Sequence, residues 1–398
     1  MKVFEPIRIG KIEIRNRIAK SAMAEGLCSA AGKPSEQLAA RYRKWADGGT
    51  GLIITGMAHV RKDHGLTGKE IGIYDDNLIP DLQKLTRNVH DGGAKIFLQI
   101  CHAPPQIGRS SALRIGGNRG PSTRLSRITF LIDRSLSEDE IESIVYDLAE
   151  GARRAKEAGF DGVQFHAAHG YLISQFLSPH YNHRQDKWGG TPEKRAHFLL
   201  RIIEESRKKT GPDFPITTKI SAEDGVKNGN RIEEMVAIGR LLEKAGTDAI
   251  EASGGVGETG FGFAPSRGRI PRDLVREFLK KELPSLARPL LPLIGHVIRS
   301  QEKRVAFVPD YHFPHARTLA KHLSIPILCV GGIRSLESAE HILSSSAVAM
   351  ISLARPLVCE PGLPERWKRG DTRPARCTSC NRCFVAVGLG EELRCVIN

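Results

Sequence analysis

Two histidines and a tyrosine form the most distinctive group of reactive side chains in this sequence. His166, His169 and Tyr171 follow one short apolar segment and lie within six residues of one another. Two imidazoles can aim two N–H donors at one point, where they would bind a substrate oxygen and stabilise charge that develops on it. A phenol is a weak acid that can deliver a proton to carbon. Zinc binding is the alternative, and it would need a third ligand such as His180 or His183.

Four of the eight cysteines lie in the last 22 residues, with the spacing Cys-x₂-Cys-x₂-Cys-x₁₁-Cys. They are Cys377, Cys380, Cys383 and Cys395. Three thiolates from one loop and a fourth from a short excursion suit a [4Fe–4S] cluster. A four-thiolate zinc site is also chemically acceptable at this spacing, and free thiols are the third interpretation.

Further residues at predicted strand ends have the chemistry to bind a cofactor. The amide of Gln99 both donates and accepts hydrogen bonds, which suits the edge of a flavin pyrimidine ring. Gly331-Gly332 and Ala354-Arg355 end two adjacent predicted strands, where main-chain N–H groups and an arginine charge would hold a phosphate. A plain tight turn is the alternative for the two glycines.

Eight short apolar segments alternate with amphipathic ones along the chain. The predicted strands are 17–22, 51–56, 95–100, 162–166, 215–221, 248–252, 326–330 and 347–353. The predicted helices include 35–47, 78–91, 138–158, 192–209, 232–245 and 313–323. Strand-then-helix order predicts a parallel sheet with right-handed crossovers. The count of eight, without a Gly-x-Gly-x-x-Gly turn after the first strand, favours a closed (β/α)₈ barrel over a doubly wound sheet.

Segments outside this repeat complete the predicted organisation. Alternating isoleucines in residues 7–14 predict a β-hairpin that caps the barrel. Residues 1–370 then form the barrel, and residues 371–398 form a short Cys-rich extension packed on it. Two long interruptions, 101–136 and 254–312, follow the third and sixth strands. Loops of this length are usually functional lids or insertions, so we expect them to determine substrate choice.

Charge and composition exclude several classes of protein. No apolar run is long enough for a membrane span, and the first residues lack a secretory signal, so we expect a cytoplasmic protein. The net charge of +14 is spread along the chain and is densest near the C-terminus. A solvated surface is one interpretation, and attraction of a flavin phosphate, NADPH or a CoA thioester is the other. Nucleic acid binding is disfavoured because aromatic residues make up only 6%.

The block around the histidine pair closely resembles the Old Yellow Enzyme, or NADH:flavin oxidoreductase, family. It reads FDGVQFHAAHGYL over 160–172 and continues through 175–179 and 182–190. Supporting motifs occur in the same order at 16–18, at Gln99 and at 330–333. The resemblance covers essentially the whole chain. It implies a TIM barrel with one FMN, which NAD(P)H reduces and an electron-poor alkene reoxidises.

The resemblance also implies roles for individual residues. His166 and His169 would bind the substrate carbonyl, and Tyr171 would donate the proton. Lys219 stands where many members carry an arginine near the flavin N1. The other implied FMN-binding residues are Ser21, Ala22 and Met23 along the ring, Gly56 and Gln99 at the pyrimidine, Ser253 and Gly254 on the ribityl path, and Gly331, Gly332, Ala354 and Arg355 at the phosphate.

The first-strand loop departs from the family pattern. Bacterial ene-reductases that are similar at the fourth strand often carry a cysteine after the first-strand methionine, where this chain has Ala24. The aromatic residue that often follows is replaced by Glu25-Gly26. Substrate scope and flavin potential are therefore not implied by the resemblance.

The cysteine segment resembles that of a subfamily that includes 2,4-dienoyl-CoA reductase, 2-enoate reductases and trimethylamine dehydrogenase. In that subfamily the cluster relays electrons between FMN and a second, dinucleotide-binding domain. The sequence ends at Asn398, where such a domain would begin, which leaves three alternatives: a working cluster that an external electron-transfer protein supplies, a cluster or zinc ion with a structural role, or free thiols without metal.

Three functions compete. The first is an FMN ene-reductase that acts on an α,β-unsaturated carbonyl compound or an enoyl thioester. The second is an oxidative amine dehydrogenase or demethylase, and the third is a non-catalytic electron-transfer subunit. The histidine pair and Tyr171 favour the reductase, because an amine site would need aromatic faces and a carboxylate around a cation. The resemblance is also compatible with a homo-oligomer.

Overall fold

A computed structural model describes residues 1–62, 64–65, 67–103, 112–113, 117–127, 131–258, 267–282, 289 and 306–398. The two long interruptions predicted from the sequence therefore lie partly outside the described residues.

Eight parallel strands close into a barrel, as predicted. Each strand pairs with the next in the sequence, and the last pairs with the first, so the barrel has no free edge. The strands are β1 (Ile18–Lys20), β2 (Leu52–His59), β3 (Lys95–Cys101), β4 (Gly162–Ala167), β5 (Ile216–Ser221), β6 (Ala249–Ser253), β7 (Ile327–Val330) and β8 (Met350–Leu353).

Helices connect these strands and cover the outside of the barrel. Several of these helices begin after a serine or threonine whose side chain caps the first turn. At Ser137 the side chain accepts from the Glu140 main-chain N–H in a reciprocal capping box. The barrel helices are α1 (Glu36–Asp47), α2 (Ile79–Asp91), α3 (Glu138–Glu157), α4 (Pro192–Thr210), α5 (Ile232–Lys244), α6 (Phe313–His322), α7 (Leu336–Ser344) and α8 (Leu363–Lys368). The remaining described helices are Lys2–Phe4, Asp76–Leu78, Leu172–Leu177, Arg272–Glu282, Arg355–Cys359 and Arg382–Gly388. None of the described helices is long and apolar enough to cross a membrane.

The predicted N-terminal hairpin closes the bottom of the barrel. Strands Ile7–Ile9 and Ile12–Ile14 pair antiparallel. The side chains of Ile9 and Ile14 are fully buried and share one apolar cluster with Phe97 and residues of other strands. The hairpin therefore fills the amino-terminal end with hydrocarbon. The opposite, carboxyl-terminal end is left for polar chemistry.

Differences from the predicted elements are local. Strand β2 runs on to His59 through a register shift between Ile54 and Met57, where an inserted residue bends the strand. Part of the first interruption forms a small sheet of Arg119–Gly120, Arg124–Leu125 and Ile132–Ser135. Helices α7 and α8 are not among the helical ranges given above, and α7 begins after an N-cap at Ser335.

Candidate active site

His166, His169 and Tyr171 lie together at the carboxyl end of β4. The two imidazole rings have centroids 5.0 Å apart and are nearly perpendicular at 85°. The ring of Tyr171 lies 4.7 Å from that of His166. The structure therefore groups the three side chains on the face where barrel enzymes carry out catalysis.

Neighbouring strand ends hold His169 in an uncommon backbone conformation. Its φ of 64° is in the left-handed region, which costs energy for a residue with a Cβ. The main-chain N–H of His169 donates to Ser221 Oγ at 3.0 Å, and its Nε2 lies 2.7 Å from Ser253 Oγ. These contacts from β5 and β6 fix the direction of the ring. Ser253, predicted on the ribityl path, is thus engaged with the histidine.

Burial sets the protonation states of the three side chains. Burial lowers the pKa of His166 well below the usual value, and the positive charge of Lys219 lowers it further. The pKa of His169 is lowered by burial, then by His166 and Lys219. Burial raises the pKa of Tyr171, as do Cys101 and Glu70. Near neutral pH the imidazoles are therefore uncharged N–H donors, and the phenol keeps its proton.

A chain of buried polar side chains crosses the barrel next to this group. Gln99 Nε2 donates to Gln164 Oε1 at 2.8 Å, and Gln164 Nε2 donates to Glu251 Oε2 at 3.1 Å. Ser21 Oγ donates to the other carboxylate oxygen of Glu251 at 2.7 Å. Lys219 Nζ lies 2.9 Å from Ser21 Oγ and 3.3 Å from Glu251. Three predicted cofactor residues, Ser21, Gln99 and Lys219, thus belong to one network.

A second buried ion pair supports the loop after β1. Lys20 Nζ lies 2.8 Å from Glu25 Oε1 and 4.5 Å from the ring centre of Trp45, and the lysine side chain is fully buried. Tyr42 OH donates to the same carboxylate at 3.0 Å and accepts from the Gly56 N–H at 3.0 Å. The loop between this pair carries Ser21, Ala22 and Met23, so the pair holds the predicted flavin loop in place.

Gly56 has a steric reason to be glycine. A Cβ at this position would collide with the Glu25 carboxylate and would lie 2.6 Å from the Met23 carbonyl oxygen. The backbone of β2 can therefore approach the first-strand loop only without a side chain.

The residues predicted to bind the phosphate lie at two different places, the end of β7 and the contact between β8 and the C-terminal segment. Gly331 and Gly332 have φ values of 122° and 84° at the end of β7, a conformation that favours glycine. Ala354 precedes the helix Arg355–Cys359. The guanidinium of Arg355 is directed toward the C-terminal segment: it donates to Asn381 Oδ1 at 2.6 Å and to the Arg267 carbonyl at 2.7 Å. Arg355 therefore links the end of β8 to that segment.

All four C-terminal cysteines line one small cavity, together with Arg355. Ser379 and Asn381, on either side of Cys380, have φ values of 55° and 59°, so the loop is tightly curled. Burial raises the pKa of Cys383 to about 12. In the described part of the chain no three His, Cys, Asp or Glu side chains are close enough to hold a metal ion together. The cysteines thus converge on one cavity without forming a closed ligand set.

His180 and His183, the candidate third zinc ligands, have other surroundings. His180 Nε2 lies 3.1 Å from Glu258, and its Nδ1 lies 3.0 Å from the Lys227 carbonyl. His183 is exposed.

The basic cluster near the C-terminus is mostly paired with acidic residues. The cluster consists of Lys368 and five arginines, and each of the arginines forms an ion pair: Arg366, Arg369, Arg373, Arg376 and Arg382. Pairing reduces the field that this surface presents to an anion. The observation favours the solvated-surface interpretation over a binding site for a CoA tail.

The buried side chains that bind the predicted site residues are not among those identified from the sequence. Gln164 and Glu251 are polar residues within buried strands, and Lys20 ends a strand that is otherwise apolar. A buried charge is retained only when it is paired, so these residues carried a usable signal. Their partners could not be read from spacing, since Ser21 and Glu251 are 230 positions apart.

The fold is a closed (β/α)₈ barrel, and two neutral imidazoles, a phenol and a buried lysine lie toward the face where barrel enzymes carry their active sites. Residues 2–255 match the model of the NADH:flavin oxidoreductase / NADH oxidase family. The chain belongs to this family, whose cofactor is FMN and whose electron donor is NAD(P)H.

Individual relatives agree with the family assignment. An NADH oxidase of Thermoanaerobacter brockii is 33% identical over 405 residues, which cover the whole chain and 56% of that protein. A 4,4′-dithiodibutanoate disulfide reductase of Rhodococcus erythropolis is 31% identical, over 99% of the chain and 94% of that protein. A solved 2-naphthoyl-CoA reductase complex matches with a TM-score of 0.83 at 24% identity, over 100% of this chain and 57% of that one; this likeness concerns the fold. The chain spans little more than half the length of some relatives.

The residues at the strand ends fit FMN by their chemistry. The network of Gln99 and Lys219 offers an amide and a cation beside the catalytic group, as the pyrimidine edge of a flavin requires. Gly331 and Gly332 offer main-chain N–H groups for a phosphate at a place where a Cβ would collide. His312, close to these glycines, has no hydrogen-bond partner on its ring among the described residues.

The Lys20–Glu25 pair gives a first prediction. We expect Lys20→Met to lower the free energy of unfolding by about 3–5 kcal/mol, because it leaves the Glu25 carboxylate buried without its cation. The matched control is the double variant Lys20→Met with Glu25→Gln, which removes both charges and should recover most of the loss. Chemical denaturation followed by circular dichroism measures both. A double variant as unstable as the single one would show that the unpaired charge is not the cause.

Proposed function

We propose that the protein is an FMN-dependent ene-reductase that moves hydride from NAD(P)H to the C=C bond of an α,β-unsaturated carbonyl compound. The observation that carries this proposal is the group of two neutral imidazoles and a protonated phenol at the end of β4. Such a group binds a carbonyl oxygen and supplies one proton, which is what reduction of a conjugated alkene requires besides hydride.

When bound at these strand ends, FMN would supply the hydride chemistry that connects NAD(P)H with the β-carbon of the alkene. His166 and His169 donate N–H bonds to the carbonyl oxygen, on which negative charge grows as hydride arrives. Because the two imidazoles are uncharged, they stabilise the enolate oxygen by hydrogen bonds and do not form an ion pair with it. Tyr171 then protonates the α-carbon, so one hydride and one proton are added across the double bond. His166 is buried and His169 and Tyr171 are partly buried, which limits the water that could compete with these donors.

Residues of the barrel would hold FMN along the strand ends. Lys219 would place positive charge near the flavin N1, and Gln99 would bond the pyrimidine edge. Glu251 would hold Lys219 through Ser21 and hold Gln99 through Gln164. The two side chains would therefore already be oriented before the cofactor binds. The remaining proposed contacts are Ala22, Met23, Gly56, Ser253, Gly254, Gly331, Gly332, Ala354 and Arg355.

The alternatives make different demands on this site. An amine dehydrogenase needs a carboxylate free to face a substrate cation, whereas Glu251, the carboxylate in the adjacent network, is bound by Ser21, Gln164 and Lys219. Reduction of a disulfide, the activity named for the Rhodococcus relative, needs hydride but no protonation at carbon. A thioester group remains within the proposal as one kind of conjugated carbonyl.

We also propose that the four cysteines hold a [4Fe–4S] cluster that exchanges electrons with an external protein. Their convergence on one cavity, with Cys380 between two left-handed residues, supports this proposal. The cluster would move electrons one at a time between the partner and the flavin site.

The histidine pair is tested by a double variant. We expect His166→Ala with His169→Ala to slow reoxidation of the reduced protein by cyclohexenone by roughly 10²–10³-fold, because an oxyanion would lose both donors. Reduction by NAD(P)H should persist. Anaerobic stopped-flow absorbance at the flavin bands separates the two half-reactions, and His183→Ala is the matched control. Reoxidation of the double variant at the parent rate would make the pair structural.

Tyr171 is tested by comparing acceptors. We expect Tyr171→Phe to slow reduction of cyclohexenone and of an enoyl-CoA by roughly 10²–10⁴-fold, since both need a proton at carbon. Electron transfer to oxygen and to 4,4′-dithiodibutanoate should change little, because neither requires protonation at carbon. Equal losses for all four acceptors would argue that the ring only packs against His166.

The cysteines are tested by metal content. Protein prepared without oxygen should contain about four iron and four sulfide per chain, as a [4Fe–4S] cluster requires. Cys380→Ser should lower this content, whereas Cys329→Ser, at a buried cysteine outside the segment, should not. Metal analysis and electron paramagnetic resonance of the dithionite-reduced protein measure occupancy. Stoichiometric zinc, or four titratable thiols, would be the contrary result.

A further inference from the structure

An imidazole without hydrogen bonds is buried at the active-site end of the barrel. His312, just before helix α6, is 7% exposed. Its Nδ1 and Nε2 are both buried, and neither has a hydrogen-bond partner among the residues that the structure describes. An imidazole always carries at least one N–H, and a buried unpaired donor is costly, so such groups in folded proteins usually have a function or a missing ligand.

Two glycines at adjacent strand ends make room for this ring. A Cβ on Gly254, after β6, would lie 2.6 Å from the His312 Cε1 atom. A Cβ on Gly331, after β7, would lie 2.8 Å from its Cδ2 atom. The imidazole therefore lies directly against the backbone between the two strand ends. These are the strand ends at which the ribityl chain and phosphate of FMN are expected.

The surroundings of the ring are electropositive. Burial, and then the positive charges of His315, Arg267 and Lys219, lower the pKa of His312 to about 3, so the ring is neutral and offers one N–H. The adjacent Tyr311 hydrogen-bonds Arg355, and the Arg267 guanidinium lies 5.7 Å from the Tyr311 ring centre. A neutral donor among cations suits a ligand that carries negative charge.

We propose that His312 donates a ring N–H to the phosphate of FMN, next to the main-chain N–H groups of Gly331 and Gly332. The proposal rests on the proposed function, because it requires a flavin phosphate at this end of the barrel. The phosphate is favoured over the ribityl hydroxyls because the residues around the ring are cationic and because Gly331, which the ring contacts, belongs to the predicted phosphate site. His312 is thus a binding residue that fixes the cofactor without taking part in hydride transfer.

The test compares FMN with riboflavin, which lacks the phosphate. The full-length protein is stripped of flavin and titrated with each, and the dissociation constants are measured by quenching of flavin fluorescence. We expect His312→Leu to raise the Kd for FMN about 10–100-fold, as loss of a hydrogen bond to a charged group predicts. The Kd for riboflavin should change less than about 3-fold. His312→Gln, which keeps an N–H donor, should bind FMN within about 5-fold of the parent protein.

Two further measurements keep the test decisive. His322→Leu is the matched control, because His322 is exposed, bonds only the Thr318 carbonyl of its own helix at 2.9 Å in the described residues and should leave both dissociation constants unchanged. The ³¹P resonance of bound FMN should shift in His312→Gln, a variant expected to fold, and stay fixed in His322→Leu. Equal weakening of FMN and riboflavin, or no weakening of either, would overturn the role of His312. Failure of the unsubstituted protein to bind any flavin would overturn the proposed function as well.

Discussion

The carboxylate of Glu251 is the point on which the active-site end of the barrel depends. It is buried within β6 and is bound by Ser21 at 2.7 Å, Gln164 at 3.1 Å and Lys219 at 3.3 Å. These partners come from, or directly follow, three other strands, so one side chain joins β6 to β1, β4 and β5. A buried carboxylate is tolerated only when it is compensated in this way. Its presence therefore requires that the barrel close in one register, with the cation of Lys219 held beside the catalytic group.

Electrostatic control of that group follows from the same arrangement. Lys219 is near enough to the histidines to lower the pKa of His166 and of His169, in addition to the effect of burial. Neutral imidazoles are donors whose strength grows as charge develops on a substrate oxygen, whereas imidazolium ions would bind any anion before reaction. A lysine held at a fixed place by a carboxylate thus adds to the effect of burial in keeping both imidazoles neutral, and in the proposed function the same lysine would face a reduced flavin.

The sequence predicts the barrel and the grouping of His166, His169 and Tyr171, but it does not predict the contacts between distant segments. Eight apolar segments with glycine-rich turns predict the barrel, because strand periodicity is local. His166, His169 and Tyr171 are contiguous, so one strand end presents them together. The pairing of Lys20 with Glu25 depends on how the first-strand loop folds back, and the burial of His312 depends on two glycines 77 positions apart. Neither follows from spacing along the chain, since register and long-range packing decide both.

The C-terminal segment contacts both ends of the predicted flavin site. A ligand bound by the cysteines would therefore affect that site as well. At one end, the Leu393 N–H donates to the Glu25 carbonyl at 2.8 Å, and Met23 packs against the cluster that contains Cys383. At the other end, Asn381 binds Arg355 after β8. Asn381 is in the left-handed region, which asparagine tolerates better than most residues, and its bond with Arg355 holds the loop in that conformation. A ligand that drew the cysteines together would stiffen this loop and, through Glu25 and Arg355, the two places where the barrel would grip a flavin. Electron exchange and cofactor binding would then depend on the same short segment.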